Sequence, residues 1–343
     1  MTDKISIKDF SNKILTGMSI GIVVALVPSA LLGEIAKALD LQAIVEITGF
    51  AGKMLAVIMG LCIAMQFKMT PIQSGTLAIT TIIGSGAIKI VDGTTVLAGM
   101  GDVINAGITA ALATLLILFI GNKLKAYTML LVPTIVITLV GFIGLQTLPY
   151  VSSLTTYLGE MVGMFTNLQP ILMGILISVT FAFLIISPVS TVGVAMAISL
   201  SGIGSGAANL GICAAGFGLA ISGFKQNGLG TSAAHFLGSP KIQMANFVKK
   251  PRMIIPILAN AAVLGALGSI FGIEGTPSSA GFGFSGLIGP INHLNIVGYN
   301  AMNIIICALL FCILPIFLGF AFKYIFVDRT KFVQEEDYLI EFK

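Results

Sequence analysis

The sequence predicts an all-α polytopic membrane protein, and three observations support this prediction. Hydrophobic residues make up 56% of the 343 residues and charged residues only 9%. The mean hydropathy is +1.03, whereas a soluble surface usually needs roughly a quarter charged residues. Apolar runs also recur at lengths near the roughly 20 residues that span a bilayer as a helix. We therefore expect the chain to lie in a membrane, in contact with lipid.

The apolar runs predict about ten spanning helices when they are taken in chain order. The third and seventh runs are short and proline-led, so either is also compatible with a re-entrant hairpin, which would change the count by two. The predicted spans are residues 14–37, 46–67, 70–88, 99–121, 127–147, 168–186, 189–205, 207–224, 252–273 and 299–325.

The distribution of basic residues predicts the orientation. Residues 225–252, between the eighth and ninth spans, hold five basic residues and no acidic one. Because basic residues are concentrated in cytoplasmic loops, this segment should be cytoplasmic. An even number of crossings then places both termini, together with Lys123 and Lys125, on the same side. The sequence therefore predicts a multi-pass protein of the inner (cytoplasmic) cell membrane.

Two apolar segments carry an unusual number of small polar residues. They are "TPIQSGTLAITTIIGSGA" at residues 70–87 and "SPVSTVGVAMAISLSGIGSGAANLG" at residues 187–211. Pro71 aligns with Pro188 at a separation of 117 residues, and the two GSGA stretches align at a separation of 120. Two further proline pairs align downstream, Pro133 with Pro256 and Pro149 with Pro277.

These alignments predict an internal repeat, parallel or inverted according to whether the polar segments cross the membrane fully. Transporters with internal repeats hold substrate where Gly- and Pro-interrupted segments of the two halves meet, so we expect the polar segments to line a transport path. The predicted divisions are a tail and first helix (1–44), repeat 1 (45–165), repeat 2 (166–297), and a last helix with a cytoplasmic tail (298–343).

Hydroxyl, amide and carboxylate side chains in these segments and in two others are the candidate substrate ligands. One further segment is a Gly-rich loop at 225–241, expected to close the cytoplasmic side. The other is an irregular stretch at 274–293, either a plain loop or a re-entrant gate, whose Glu274 is expected to close the outer side. His235 is either solvated or exchanges protons near pH 7. The candidates are Gln73, Ser74, Ser190, Thr191, Asn227, Thr231, Ser232, His235, Glu274 and Thr276.

The sequence predicts no catalytic residue, no cofactor, no metal site and no nucleic-acid binding. The four cysteines lie in apolar runs without a CxxC pair, and the chain has only two histidines. "GFGFSG" at 281–286 satisfies GxGxxG but lacks the strand–turn–helix context of a dinucleotide site. The candidate ligands are poor in paired charges, which favours a neutral polyol such as a sugar over an ion.

Three stretches carry a family resemblance: "GLGTS" from Gly228, "SPKIQMANFVKKPRMIIPILANA" from Ser239 and "EGTPSSAGFGFSGLIGPI" from Glu274. In the order of these stretches, and in its length and hydropathy, the chain resembles the enzyme IIC-like membrane family of the phosphotransferase system that includes PfoR-type regulators. The resemblance implies a sugar permease whose substrate is phosphorylated by a separate IIB protein, itself charged by IIA and HPr.

Two other functions remain open at this point. The chain could be a membrane sensor or regulator that binds a small solute without moving it, with the mixed-charge C-terminal tail docking a partner. It could also be a secondary transporter that works without phosphorylation. In each case we expect a small-molecule ligand and a homo-oligomer.

Overall fold

A computed structural model describes residues 6–121 and 123–340. The termini, residues 1–5 and 341–343, whose cytoplasmic location was predicted, lie outside this description. The described residues are mostly helical, which confirms the all-α membrane class. Among them, six helices are long and apolar enough to cross a membrane, or seven if one bent pair counts as a span. The count of ten stays a prediction.

The helices follow one another with short connections, and one β-hairpin interrupts them. The hairpin pairs β1 (Ile88–Val91) antiparallel with β2 (Thr94–Leu97). The helices are α1 (Ile7–Ala38), α2 (Gln42–Lys53), α3 (Leu55–Gln66), α4 (Pro71–Ser85), α5 (Val103–Ile120), α6 (Thr128–Ile135), α7 (Gly141–Phe165), α8 (Pro170–Ile186), α9 (Thr191–Ala197), α10 (Gly202–Ser222), α11 (Phe224–Leu237), α12 (Met244–Lys249), α13 (Ile255–Ile270), α14 (Ile288–Val297), α15 (Ala301–Ala308) and α16 (Leu314–Lys323).

The chain divides into two compact units. The first holds the residues up to Pro28 together with Glu46–Ser153, and the second holds Ser29–Val45 together with Leu154–Ile340. The helices α1, α2 and α7 each contain residues of both units.

In the first unit α4 packs against α3 and α5. Asn105 of α5 joins α5 to α4 and α7 by hydrogen bonds. Its Nδ2 donates to the carbonyl oxygens of Gly84 on α4 and Gly144 on α7, and Thr147 donates to its Oδ1 at 2.8 Å. Since lipid offers no hydrogen bonds, a buried amide needs such internal partners. Asp102 caps α5 by accepting from the Asn105 N–H at 2.8 Å.

In the second unit α8, α10 and α13 pack against one another, and α10 is buried along almost its whole length. Small residues allow the close approach, as at Gly174 of α8 beside Gly265 of α13. Ser178 of α8 donates to the Ala261 carbonyl of α13 at 2.7 Å. These three helices form the core of the second unit.

Several predicted elements are wrong in detail. Residues 189–205 do not form one helix, because α9 ends at Ala197 and the left-handed backbone of Ser199 (φ 50°) and Gly202 (φ 58°) separates it from α10. The predicted loop at 225–241 is mostly the helix α11. The predicted span 127–147 continues to Phe165, since α6, a π-helical turn and α7 run on as one apolar stretch.

The C-terminal tail, defined here as residues 334–340, docks on the second unit. Tyr338 is fully buried, and its Oη donates to the Met253 carbonyl at 3.0 Å. Main-chain groups of the tail bond to the side-chain amides of Asn227, Gln243 and Asn246. Ion pairs surround this contact: Lys225–Glu335 at 2.9 Å, Lys323–Glu335 at 3.1 Å and Lys250–Asp337 at 3.2 Å.

Candidate functional site

Two polar segments of the second unit lie beside the first turns of α10, which also carry polar side chains. They are the connection between α8 and α10 (residues 187–201) and the irregular segment 274–287. Gly202 and Gly275 pair as a short antiparallel bridge, with N–H to carbonyl distances of 2.9 and 3.0 Å. The non-helical backbone of these segments therefore lies beside the start of a helix, where it is buried in protein rather than exposed to lipid.

Polar side chains of α10 hold segment 274–287 in place. The Ser205 hydroxyl donates to the Thr276 carbonyl at 2.9 Å, and the Asn209 Oδ1 accepts from the Gly283 N–H at 3.0 Å. A Cβ at Gly206 would overlap the Ile273 carbonyl oxygen, so this close approach requires glycine. The segment is therefore an ordered, packed element rather than a surface loop.

Ser190 and Thr191 lie at the start of α9, next to the same segment. The Thr191 hydroxyl donates to the Gly281 carbonyl at 3.0 Å and is buried. The Ser190 hydroxyl caps α9 by accepting from the Gly193 N–H at 3.0 Å. The structure therefore brings these two predicted residues to the polar cluster.

Glu274 and Thr276 lie on the other side of the Gly202–Gly275 bridge. The Glu274 N–H donates to His293 Nδ1 at 3.1 Å, and the Thr276 N–H donates to Asn292 Oδ1 at 2.9 Å. The half-buried Glu274 carboxylate has no hydrogen bond or ion pair among the described residues. Its backbone is thus fixed while its charge remains available to a ligand.

His293, which sequence reasoning named only as the end of a segment, is buried on α14. Burial is the main cause that lowers its pKa from the usual value. A neutral imidazole whose Nδ1 accepts a hydrogen bond carries its proton on Nε2. The "INH" triplet that supplies both His293 and Asn292 was the available sequence signal.

His235 and Ser232 lie on one face of α11 and are buried rather than solvated, with 0% and 2% exposure. His235 Nδ1 lies 3.1 Å from the Ser232 carbonyl, so Nδ1 carries the proton and Nε2 has a free lone pair. Burial lowers the pKa of His235 to about 4, which keeps the ring neutral near pH 7. In the described part of the chain, neither Nε2 nor the Ser232 hydroxyl has a hydrogen-bond partner.

The remaining predicted residues lie elsewhere. Asn227 bonds the C-terminal tail through both ends of its amide, and Thr231 is partly exposed on α11. Gln73 and Ser74 belong to the first unit, where Gln73 forms a capping box with Thr70 at the start of α4.

Lys241 is a second residue that sequence reasoning missed, because it was considered only as a charge that sets orientation. Its side chain is buried, and its Nζ donates to the carbonyls of Ser187 at 2.6 Å and Val189 at 2.7 Å. It therefore contacts the turn that leads into Ser190 and Thr191.

The cluster offers hydroxyls, amides, the His293 imidazole and the Glu274 carboxylate, whereas His235 lies farther along α10, beside Gly216. Such groups donate to and accept from hydroxyl groups of a ligand. Among the described residues, no group of three or more His, Cys, Asp or Glu side chains could hold a metal ion. The chemistry of the cluster is that of hydroxyl recognition.

Comparison with known proteins gives one match. The family model described as Phosphotransferase system, EIIC matches residues 12–340, nearly the whole chain. No curated protein and no solved structure matches the chain.

Proposed function

Because the chain belongs to the EIIC family of the phosphotransferase system, we propose that it is the membrane permease of such a system and moves a small hydrophilic solute, a carbohydrate, across the cell membrane. The family match over residues 12–340 is the observation that carries this proposal. The chain works with a separate IIB protein, which phosphorylates the sugar at the cytoplasmic face. The permease is a homo-oligomer in lipid.

The substrate site that we propose is the polar cluster of the second unit. Glu274 accepts from sugar hydroxyls, because its carboxylate has no hydrogen-bond or ion-pair partner in the described chain. His235 Nε2 and the Ser232 hydroxyl supply further bonds from α11, which lies beside Gly216, ten residues along α10 from Gly206 and the irregular segment. Their polar atoms are buried without a partner in the described chain, which destabilises the empty site. Ser190, Thr191 and Thr276 complete the set. Asn227, Thr231, Gln73 and Ser74 remain candidate ligands with less support from their surroundings.

An internal repeat remains part of the proposal, with a different register at its start. "NAGITAALATLLI" from Asn105 on α5 and "NLGICAAGFGLAI" from Asn209 on α10 share seven of 13 residues. α5 follows α4, which begins at Pro71, and α10 follows α8, which begins at Pro170, with the short helix α9 between them. Each asparagine also bonds to main chain across its own unit. The register that pairs Asn105 with Asn209 therefore has more support than pairing Pro71 with Pro188.

Reconstituted protein tests the permease proposal directly. Vesicles with and without a purified, phosphorylated IIB protein are supplied with a panel of radiolabelled neutral sugars and sugar acids. We expect uptake of one sugar only when IIB is present, with the phosphorylated sugar recovered inside. Uptake without IIB would indicate a secondary carrier, and saturable binding without uptake would indicate a sensor. Absence of binding by every sugar would contradict the carbohydrate proposal.

A further inference from the structure

Lys241 is a buried lysine that contacts the broken backbone beside the proposed site. It lies in the 3-10 helix Pro240–Gln243, outside the six candidate spans, and is only 6% exposed. Its Nζ donates to the carbonyls of Ser187 and Val189 at 2.6 and 2.7 Å. Lys241 therefore connects the basic segment 225–252, which is predicted to be cytoplasmic, to the turn between α8 and α9.

The turn needs these two bonds because it ends a helix inside the protein. Pro188 has no N–H to donate, and the Leu184 carbonyl that it would have bonded in a continued helix accepts from Ser187 instead. The carbonyls of Ser187 and Val189 lie beyond the end of α8, where no helical N–H reaches them, and they accept from Lys241. The side-chain bonds made by Ser187 stay inside the turn, to Leu184 and Val189. Lys241 therefore supplies the side-chain contact that fixes this turn from another element.

The surroundings of Lys241 provide no negative charge to balance an ammonium. The elements that pack on its 3-10 helix are α8, α10, α11 and α12. Their titratable side chains are Cys213, Lys225, His235 and Lys249, with no carboxylate among them. The C-terminal tail reaches the same 3-10 helix through Gln243, but its Glu335 and Asp337 pair with other lysines and its Glu336 is exposed.

The number of hydrogen-bond acceptors around the Lys241 Nζ fits an uncharged amine. A neutral lysine has two N–H donors and an ammonium has three, while two carbonyls accept from Nζ. Burial lowers the pKa of Lys241 to about 7, in agreement with that count. Near neutral pH both the charged and the uncharged form of the Lys241 side chain are therefore populated.

We propose that Lys241 is a positioning residue of the permease, which in its uncharged form holds the Ser187–Val189 turn and so places Ser190 and Thr191 at the substrate site. Protonation releases the turn, because a buried ammonium without an anion is more stable in water. The effect on transport rests on the proposed function. The release of the turn does not, since it requires no substrate.

The direction of the pH dependence follows from linkage. When the turn is released, Lys241 is solvated and has the ordinary lysine pKa of about 10.4. The held state has the lower pKa, so it binds fewer protons and loses population as the pH falls. For held and released pKa values of about 7 and about 10.4, the released fraction rises about tenfold between pH 8 and pH 6.

Hydrogen exchange of the full-length protein in detergent micelles, without any sugar, tests this inference. Exchange rates are expressed as protection factors, the ratio of the intrinsic to the observed rate at each pH, so that the intrinsic pH dependence of amide exchange cancels. We expect protection of residues 187–197 to fall about tenfold from pH 8 to pH 6, while protection of α13 stays constant. Constant protection of residues 187–197 in the wild-type protein would overturn the proposal, and this measurement requires no variant.

Two variants sharpen the test. Lys241→Met removes the donors and the titration, so residues 187–197 should be weakly protected at both pH values, with α10 protection as the check on folding. Lys249→Met, an exposed lysine eight residues away, should keep the full wild-type pH response. A Lys241→Met protein that retains the pH response would refute the assignment. A pH response without sugar uptake would instead refute the permease and leave the role of Lys241 intact.

Discussion

Glu274 presents a carboxylate to a polar cluster while its own backbone is held by His293. Replacing it with glutamine keeps the size and removes the charge. A hydrogen bond to a charged group contributes about 1.5 to 3 kcal/mol, so we expect Glu274→Gln to weaken sugar binding by about ten- to 150-fold. Equilibrium binding of the transported radiolabelled sugar measures this change.

Asp102→Asn is the matched control for that substitution. Asp102 caps α5, and asparagine caps a helix about as well as aspartate, so binding should change less than twofold. If both variants weaken binding equally, the special role of Glu274 is wrong.

Gly206 marks the closest approach between α10 and the irregular segment. Gly206→Ala would force its new methyl group against the Ile273 carbonyl, and we expect a loss of about 1 to 3 kcal/mol in the free energy of unfolding. Gly49→Ala introduces the same methyl group where no atom lies within 4 Å, so it should be neutral or slightly stabilising. Thermal unfolding in detergent compares the two, and equal melting temperatures would contradict the packing argument.

Single residues were predictable where the sequence alone determines their chemistry. The N-cap at Asp102 is predictable in principle, since capping depends on a few neighbouring residues. The buried states of His235, Lys241 and His293 were not, because they depend on long-range contacts such as the one from Lys241 to Ser187, 54 residues away in sequence. A basic residue in a basic segment gives no local sign that it is buried.

At the level of elements, the C-terminal tail stabilises the region around α11 and α12. Tyr338→Ala would leave a cavity where a fully buried ring lies, and we expect a loss of about 3 to 5 kcal/mol. Tyr338→Phe keeps the ring and removes the hydroxyl, with its hydrogen bonds to the Met253 carbonyl and to Ser222, and should cost about 1 kcal/mol. Chemical denaturation in detergent distinguishes these values.

Tyr324→Phe, at a residue that is 60% exposed, is the control for the tail variants and should leave stability unchanged. If Tyr338→Ala is as stable as the parent, the tail does not hold this region. The sensor hypothesis left the tail free to dock another protein, whereas its described residues dock on the chain itself.

Long apolar helices were predictable because their composition alone requires burial or lipid. The predicted runs 99–121 and 252–273 agree well with α5 and with the apolar span Pro251–Ile270. Short elements were not predictable. The helix α11 contains two glycines, which are weak helix formers, and the left-handed backbone of Gly228 (φ 69°) interrupts it. It is held by contacts with α10 and the tail. The polar break around Pro188 was recognised, but its partners were not.

For the whole molecule, the orientation is the prediction that labelling can test. The basic segment at 225–252 should be cytoplasmic, and the turn of the β-hairpin, one span before Lys123, should then lie outside. In intact cells, a membrane-impermeant maleimide should label Asp92→Cys and fail to label Lys249→Cys, in a background without the native cysteines. Both positions are exposed in the structure. Labelling of Lys249→Cys before the cells are broken would reverse the orientation.

The docked tail also sets an order of events during synthesis. The main-chain carbonyl of Tyr338 that bonds to Asn227 and Gln243 is added 111 and 95 residues after those side chains. At about 5 to 20 residues per second, the ribosome needs about 5 to 20 seconds to supply it. During that interval α11 and the residues around Gln243 lack their last partners, while α13 and the apolar helix that follows it are still being inserted. The region around the proposed site therefore matures after translation has passed it, and a chaperone or protease that acts on the nascent chain would meet it incomplete.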